Sequence, residues 1–364
     1  MEILLLLTSV FGLTGGVHTF NRALIKATDD LASDFGLEIT VFSLLDGEVP
    51  LQTAADYMSS GHTRYRGFKG NKMEFAAATL LAGWRANRVV FGHVNFSSLA
   101  CGMPKAIKSL VVHGIDVWRP LPSLQKFGIS QMLEILSVSE YTQEALVHFN
   151  GMAPVQFRLL PDTLDPFYSR LADSIRPAKE LGLPRGHMML AVTRLMSTEA
   201  YKRIDLVIKS MPAILPHVPD AFFVVVGQGG DRSRLEKLAQ DTNVADRVVF
   251  TGFVADNLLP SYYAACDLFV LPSLKEGFGI VFLEAMYHAK ACVGAIAGGI
   301  PEVVKDGETG LLAKADSVGS FVQCVVRLLG NEQERDAMGR RGKERLEREF
   351  SYENFRARLE RVLC

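Results

Sequence analysis

Pro272-Ser273-Leu274-Lys275-Glu276-Gly277-Phe278-Gly279-Ile280-Val281-Phe282-Leu283-Glu284-Ala285-Met286 joins two kinds of apolar pattern. The residues just before it, Leu268–Leu271, form a short run that predicts a strand buried on both faces. From Ile280 the sequence predicts an apolar-flanked helix, so the stretch reads as strand, glycine loop, helix. Similar apolar runs recur along the chain with helical stretches between them. In the first half they predict strands at Ile3–Thr8, Glu38–Ser43, Arg88–His93, Ser109–His113, Ile135–Val138 and Val155–Leu160. In the second half they fall at Met188–Arg194, Ala221–Gly227, Arg247–Thr251, Leu268–Leu271 and Ala291–Ala295. This alternation predicts an α/β protein with two doubly wound domains. The expected boundaries are residues 1–168 and 169–349, with Ser169–Pro184 as the connection. A final helix over residues 350–364 carries a narrow apolar stripe at Phe355, Leu359 and Leu363.

The length of 364 residues suits two domains. At 48% hydrophobic residues, disorder is excluded, and 31 Gly with 15 Pro exclude collagen-like or low-complexity classes. The 39 basic and 40 acidic residues leave a net charge of -1, which argues against a globally basic nucleic-acid binder. Cys101, Cys266, Cys292, Cys324 and Cys364 are odd in number and widely spaced, without C-x-x-C, which favours a reducing, cytoplasmic setting over disulfides or structural zinc. Met1-Glu2-Ile3-Leu4-Leu5-Leu6-Leu7 has no basic leader and runs into a glycine loop, so it reads as a buried first strand and not a signal peptide.

Glu276 lies in the loop of the opening stretch and Glu284 among the apolar residues of its helix. A carboxylate in such surroundings is costly unless a partner satisfies it, and a sugar diol is one suitable partner. Gly277 and Gly279 allow backbone to approach a ligand, and the helix start at Gly279 offers N–H groups to a phosphate. For either glutamate alone, the preferred reading is a capped strand loop with one buried Glu held by a neighbouring Arg.

Taken together, Glu276 and Glu284 resemble the E-x7-E motif of the retaining glycosyltransferases of family 4. Ala297-Gly298-Gly299-Ile300-Pro301-Glu302-Val303-Val304 and Asp306-Gly307-Glu308-Thr309-Gly310-Leu311-Leu312 match the same family's pattern. The resemblance implies a GT-B fold, two Rossmann-like domains facing a cleft that holds a nucleotide diphosphate sugar. It implies that Glu276 contacts the donor sugar, that Glu284 binds the ribose hydroxyls, and that Phe278 and Gly279 meet sugar and phosphate through backbone. Arg194 and Lys202 resemble the family's diphosphate clamp, answering the negative charge that develops on the leaving group. Thr193 and Arg203 stand where the family usually has glycine. Gly227-Gln228-Gly229-Gly230 lacks the last glycine of G-x-G-x-x-G, because Arg232 stands there, which disfavours a dinucleotide cofactor. Thr251-Gly252-Phe253-Val254 resembles the segment that reads the base, making Val254 a candidate. In the first half, Leu13-Thr14-Gly15-Gly16 resembles the family's glycine loop. Gly15 and Gly16 are therefore candidates for a backbone nest around phosphate. His113, in Val111-Val112-His113-Gly114-Ile115-Asp116, resembles a His near the reacting sugar. The final helix is expected to cross back to the first domain, as in GT-B enzymes generally.

The expected activity is metal- and cofactor-independent retaining transfer of a hexose from a UDP- or GDP-sugar to a glycan or lipid-linked hydroxyl. The chain has no D-x-D triplet. Paired carboxylates also suit glycoside hydrolysis, but phosphate-binding features would have no purpose there. The competing readings are an epimerase or phosphorylase on the same fold, and a non-catalytic carbohydrate-binding subunit. Between Gly61 and Ile115, Arg64, Arg66, Lys69, Lys72, Arg85, Arg88, Lys105 and Lys108 face only Glu74 in opposition. Phe68, Met73, Phe75, Leu80, Leu81 and Trp84 interleave with them, a combination suited to adsorption on anionic lipid.

Overall fold

A computed structural model of the chain describes residues 1–12, 15–151, 156–173 and 175–364. They form two compact units, Met1–Pro166 with Phe350–Cys364, and Phe167–Glu349.

The first unit has strands β1 Glu2–Leu7, β2 Glu38–Ser43, β3 Thr63–Gly67, β4 Arg88–Phe91, β5 Ile107–Val112, β6 Glu134–Ser137 and β7 Gln156–Leu159. They pair in parallel in the order β3-β2-β1-β4-β5-β6-β7. Central β1 is buried along Ile3–Leu7, as expected of a strand covered on both faces. β3 was not anticipated: Thr63-Arg64-Tyr65-Arg66-Gly67 is polar because it lies at the sheet edge, where one face meets solvent. The helix Tyr352–Leu363 packs on Gly16–Phe35 of this unit through Phe355, whose ring meets Phe20 edge-on at 5.4 Å. Its stripe Phe355, Leu359 and Leu363 is buried.

The second unit has β8 Met188–Val192, β9 Phe222–Val226, β10 Val248–Gly252, β11 Leu268–Val270, β12 Ala291–Ala295 and β13 Gly310–Ala313. These are parallel in the order β10-β9-β8-β11-β12-β13. β13 begins within the motif segment Asp306–Leu312, where no strand was expected. Ser169–Pro184 is not a bare connection either. It includes most of the helix Tyr168–Ala172 and the turn Ala178–Leu181, and the Arg176 N–H donates to Ser261 Oγ at 2.9 Å, tying the segment to this unit. Val155, expected to begin a strand, lies outside the described residues.

The basic segment also differs from its sequence reading. Phe68 and Phe75 are core residues of the first unit, and Leu80 packs against that core. Lys108 is buried with its ammonium donating to the carbonyls of Met103 and Ala106, and Arg88 pairs with Glu134 at 3.0 Å. Met73, Leu81 and Trp84 remain solvent-facing, at 85%, 74% and 65% exposure.

Candidate active site

In both sheets the candidate residues follow the carboxyl ends of strands, where open α/β sheets bind ligands. In the second unit, the chain leaves β8 through Thr193–Leu195, then forms the turn Ser197–Lys202. Lys202 Nζ lies 2.5 Å from Glu276 Oε1, and both side chains are largely buried. Two backbone bonds fix their positions: Leu274 N–H donates to the Tyr201 carbonyl and Gly299 N–H to the Glu276 carbonyl, each at 2.8 Å. The Ala297–Val304 motif thus supports the Glu276 loop directly. Arg194 pairs with Glu199 at 2.5 Å and is mostly exposed. Arg194, Glu199 and Lys202 line one shallow hollow, which brings the two expected cations together. Arg203, at the position of a family glycine, adopts the left-handed conformation at φ 57 and pairs with Asp205 and Asp316.

Gly227 is a packing residue. Its φ is 139, and a Cβ there would be driven into the Thr193 carbonyl oxygen. Bonds from Thr193 N–H to Val226 O and from Leu195 N–H to Gln228 O, both 2.9 Å, zip this turn to the Arg194 segment. Gly279, at φ 101, starts the helix Ile280–Tyr287 with no side-chain cap and no acidic residue in the first turn. The N–H groups of such a turn have no partner within the helix. Phe278 beside it is buried.

Glu284 sits on that helix, where Tyr263 Oη donates to Glu284 Oε2 at 2.5 Å. Tyr263 is fully buried and its ring stacks on His288, with centroids 6.0 Å apart. Burial, followed by the Glu284 charge, pushes the Tyr263 hydroxyl well above its usual range, so it remains a donor. Val254 follows β10, partly buried, beside exposed Phe253.

In the first unit, Gly15 caps the helix Gly16–Phe35 at φ 132, again without a side-chain cap or an acidic first turn. Leu13 and Thr14 lie outside the described residues. Immediately upstream, the N–H groups of Val10, Phe11 and Gly12 converge on a carboxylate of the chain itself, Asp46, at 2.5, 3.3 and 3.0 Å. Burial pushes the Asp46 carboxyl up, but hydrogen bonds from Ser9, Val10, Ser43 and Tyr65 outweigh it and hold the group below its ordinary value.

His113 follows β5. Its Nε2 is 2.9 Å from the Gly92 carbonyl, an acceptor only, so Nε2 carries the proton and Nδ1 the lone pair in the neutral ring. Burial, then neighbouring His93, pushes His113 down to about 4. His93 stacks on it with centroids 6.3 Å apart and is itself lowered to about 4 by burial and Arg119. Asp116, which accepts from His113 N–H at 3.2 Å, is raised by burial to about 7. His113 is therefore neutral near pH 7, suited to polarising or accepting a hydrogen bond.

Sequence reasoning missed Asp46, His93, Glu199 and Tyr263. His93 ends a predicted strand and was legible by that position. Asp46-Gly47 reads as an ordinary turn, and the Tyr263 contact spans 21 positions with no motif to signal it.

Two parallel, doubly wound units with these strand-end groups define a Rossmann-like α/β protein of the GT-B class. Anabaena Alr3699/HepE, solved with UDP and glucose, has that fold with a TM-score of 0.78, at 18% identity over 100% of this chain and 99% of that one. The profile of the family described as Glycosyl transferases group 1 matches residues 185–345. A GDP-mannose-dependent monoacylated alpha-(1-6)-phosphatidylinositol monomannoside mannosyltransferase of Corynebacterium glutamicum is 32% identical, over 72% of this chain and 70% of its own length. The GDP-mannose-dependent alpha-(1-6)-phosphatidylinositol monomannoside mannosyltransferase of Mycobacterium tuberculosis is 31% identical over 68% of this chain, a match that spans 66% of that relative's length. The chain belongs to the glycosyl transferases group 1.

Proposed function

We propose that the protein transfers a hexose, with retention of anomeric configuration, from a nucleotide diphosphate sugar to a hydroxyl of a glycan or lipid-linked acceptor. The reading is carried by the Lys202–Glu276 pair. It sets a cation for the leaving diphosphate against a carboxylate for the donor sugar, next to the uncapped helix start at Gly279. Arg194 adds a second cation to the diphosphate, Glu284 receives the ribose hydroxyls, and the Val254 backbone meets the base. Gly15 and Gly16 contact the donor through backbone, and neutral His113 orients the reacting sugar. The leaving phosphate accepts the acceptor's proton, so neither a metal nor another cofactor takes part. GDP-mannose is the first donor to test, because similar curated proteins carry that dependence in their names. Incubation with GDP- and UDP-hexoses and a phosphatidylinositol mannoside, with and without EDTA, should give an α-linked product at equal rates in both conditions. Formation of a donor epimer without acceptor, or loss of turnover in EDTA, would refute this reading.

The lipid-linked acceptor brings a second element. Exposed Met73, Leu81 and Trp84, with Lys72 and Arg85 close in sequence, suit insertion at an anionic membrane surface on its cytoplasmic side. Among the described residues no helix is long and apolar enough to cross a membrane. Wild-type protein should co-sediment with vesicles containing phosphatidylglycerol, and the Leu81→Ser, Trp84→Ser variant should not. Equal sedimentation with neutral vesicles would remove the anionic-surface assignment, and no sedimentation with either would remove membrane contact altogether.

A further inference from the structure

The loop after β1 is held to an unusual degree by one acidic side chain. Asp46 receives six hydrogen bonds. Ser9 Oγ donates at 2.6 Å, Ser43 Oγ at 2.8 Å and Tyr65 Oη at 2.9 Å, beside the three N–H groups of Val10, Phe11 and Gly12. A carboxylate is acceptor-only with about four lone-pair directions, so an ionised side chain suits this set of donors, some of which share a lone pair on Oδ2. The fit is close, because a Cβ on Gly12 would lie 2.7 Å from Asp46 Oδ1.

Other contacts brace the same loop. The Ser9 carbonyl accepts from Asn21 Nδ2 at 2.8 Å, fixing the loop to the helix Gly16–Phe35. The Phe11 ring sits 5.4 Å from that of Tyr57 and 5.9 Å from that of Tyr65. Tyr65 comes from β3, the edge strand with a polar sequence. That strand therefore carries a side chain whose hydroxyl completes the carboxylate's set. Successive N–H groups converging in this way form a nest, which elsewhere holds phosphate. Here the chain fills the nest itself, so this part of the loop is an internal joint.

We propose that Asp46 is the positioning residue of this loop: by occupying the Val10–Gly12 nest it sets where Gly15 and Gly16 present the start of the helix to the donor. The proposal rests on the hexosyl-transfer reading for its kinetic consequence, while the loop-holding part stands on geometry. Asp46→Asn keeps the shape but replaces one acceptor oxygen with a donor that faces other donors. Tyr65→Phe removes one donor of six and leaves the carboxylate in place.

The test combines amide hydrogen exchange with steady-state kinetics on the full chain. Asp46→Asn should speed exchange at Val10 and Gly12 at least tenfold and raise the donor KM at least fivefold, with the acceptor KM unchanged within twofold. Tyr65→Phe should raise the donor KM two- to threefold with little change in melting temperature. A merely structural carboxylate would lower the active fraction, and so kcat, without moving the donor KM. Unchanged exchange at Val10 and Gly12 in Asp46→Asn overturns the holding role. Faster exchange with the donor KM unmoved in both variants overturns the positioning role. If Asp46→Asn does not fold, Tyr65→Phe with Ser43→Ala decides by the same readouts. If no nucleotide sugar is turned over by the wild type, the hexosyl-transfer reading fails, while the exchange result still decides whether Asp46 holds the loop.

Discussion

Lys202 and Glu276 pair with each other, and the two halves of that pair are not equivalent. Their side chains are 18% and 11% exposed. Removing one member of a fully buried ion pair costs about 3–5 kcal/mol, mainly because the remaining charge is stranded. Here some water access lowers that to about 2 kcal/mol for the worse of the two cases. Lys202→Met is the worse case, since Glu276 is short, sits in a loop fixed by the Gly299 bond, and cannot move its charge to solvent. In Glu276→Gln the stranded ammonium has a flexible stem that can reach water and lies 5.5 Å from the Tyr201 ring centroid, which favours a cation. Its cost should stay below about 1 kcal/mol by the same reasoning.

In a unit of this size each kcal/mol moves the melting temperature by roughly 2–4 °C. Lys202→Met should therefore melt about 4–8 °C below wild type and Glu276→Gln less than about 4 °C below it. The double variant should fall short of the sum, because neither charge is then stranded. Differential scanning calorimetry at low salt measures all three. In transfer assays both single variants should lose about 10²–10³ in kcat, the scale seen when one stabilising group is removed from a developing charge. The reasoning is refuted if Lys202→Met melts within 1 °C of wild type, or if Glu276→Gln melts lower than Lys202→Met.

Three further outcomes follow from other contacts. Gly227→Ala, which forces a Cβ into the Thr193 carbonyl at a φ of 139, should separate the two turns, lower the melting temperature and weaken nucleoside diphosphate binding measured by calorimetry; normal binding would show that the Arg194 segment is held by other means. Phe355→Ala, which empties a buried site against Phe20, should cost about 3–5 kcal/mol and lower the urea midpoint of the first unit. For pH, His93 and His113 have folded values near 4, so their stabilising contribution is full above pH 6.5 and is lost as pH falls toward 4. Asp116, raised to about 7, contributes in the opposite sense: its stability is full below 3.8 and is lost as pH rises toward 7. Between these limits the unfolded chain binds about one more proton than the native unit, a slope of roughly 1.4 kcal/mol per pH unit. Asp116→Asn removes the opposing group, so melting temperature should fall about twice as steeply from pH 6.5 to 4.5. An unchanged slope would place these titrations elsewhere.

Buried parallel strands were legible because they need side chains that are apolar on both faces, and β2 and β12 begin and end where their apolar runs do. The edges were not. Tyr65 in β3 alternates with arginines that face solvent, and β13 is only four residues long and opens on Gly310, so its apolar run is short. Glu276, Glu284, Arg194 and Lys202 could be named because their spacing resembles a known pattern, and the structure brings Arg194, Lys202 and Glu276 into one neighbourhood. Partners contributed by distant segments left no trace. Asp46 meets Ser9 across 37 positions, and neither residue looks unusual in its own window.

The same contrast separates the Val10–Gly12 nest from the helix starts at Gly279 and Gly15. After β1 the converging N–H groups of Val10, Phe11 and Gly12 already hold a carboxylate of the chain, whose charge would repel phosphate brought to the same spot. The helix starts at Gly279 and Gly15 are different: neither has a side-chain cap, and neither has an acidic residue in its first turn. An acidic side chain in a first turn stabilises a helix by about 0.3–1 kcal/mol, so its omission at both places gives up stability that the sequence could have had. The helices that begin at Leu51, Ser123, Arg232 and Leu259 share that omission, so the uncapped start alone does not mark where a ligand's phosphates sit. In the first unit, taken by itself, the chain thus fixes the loop at the Val10–Gly12 nest with its own carboxylate and leaves the following helix start at Gly15 uncapped.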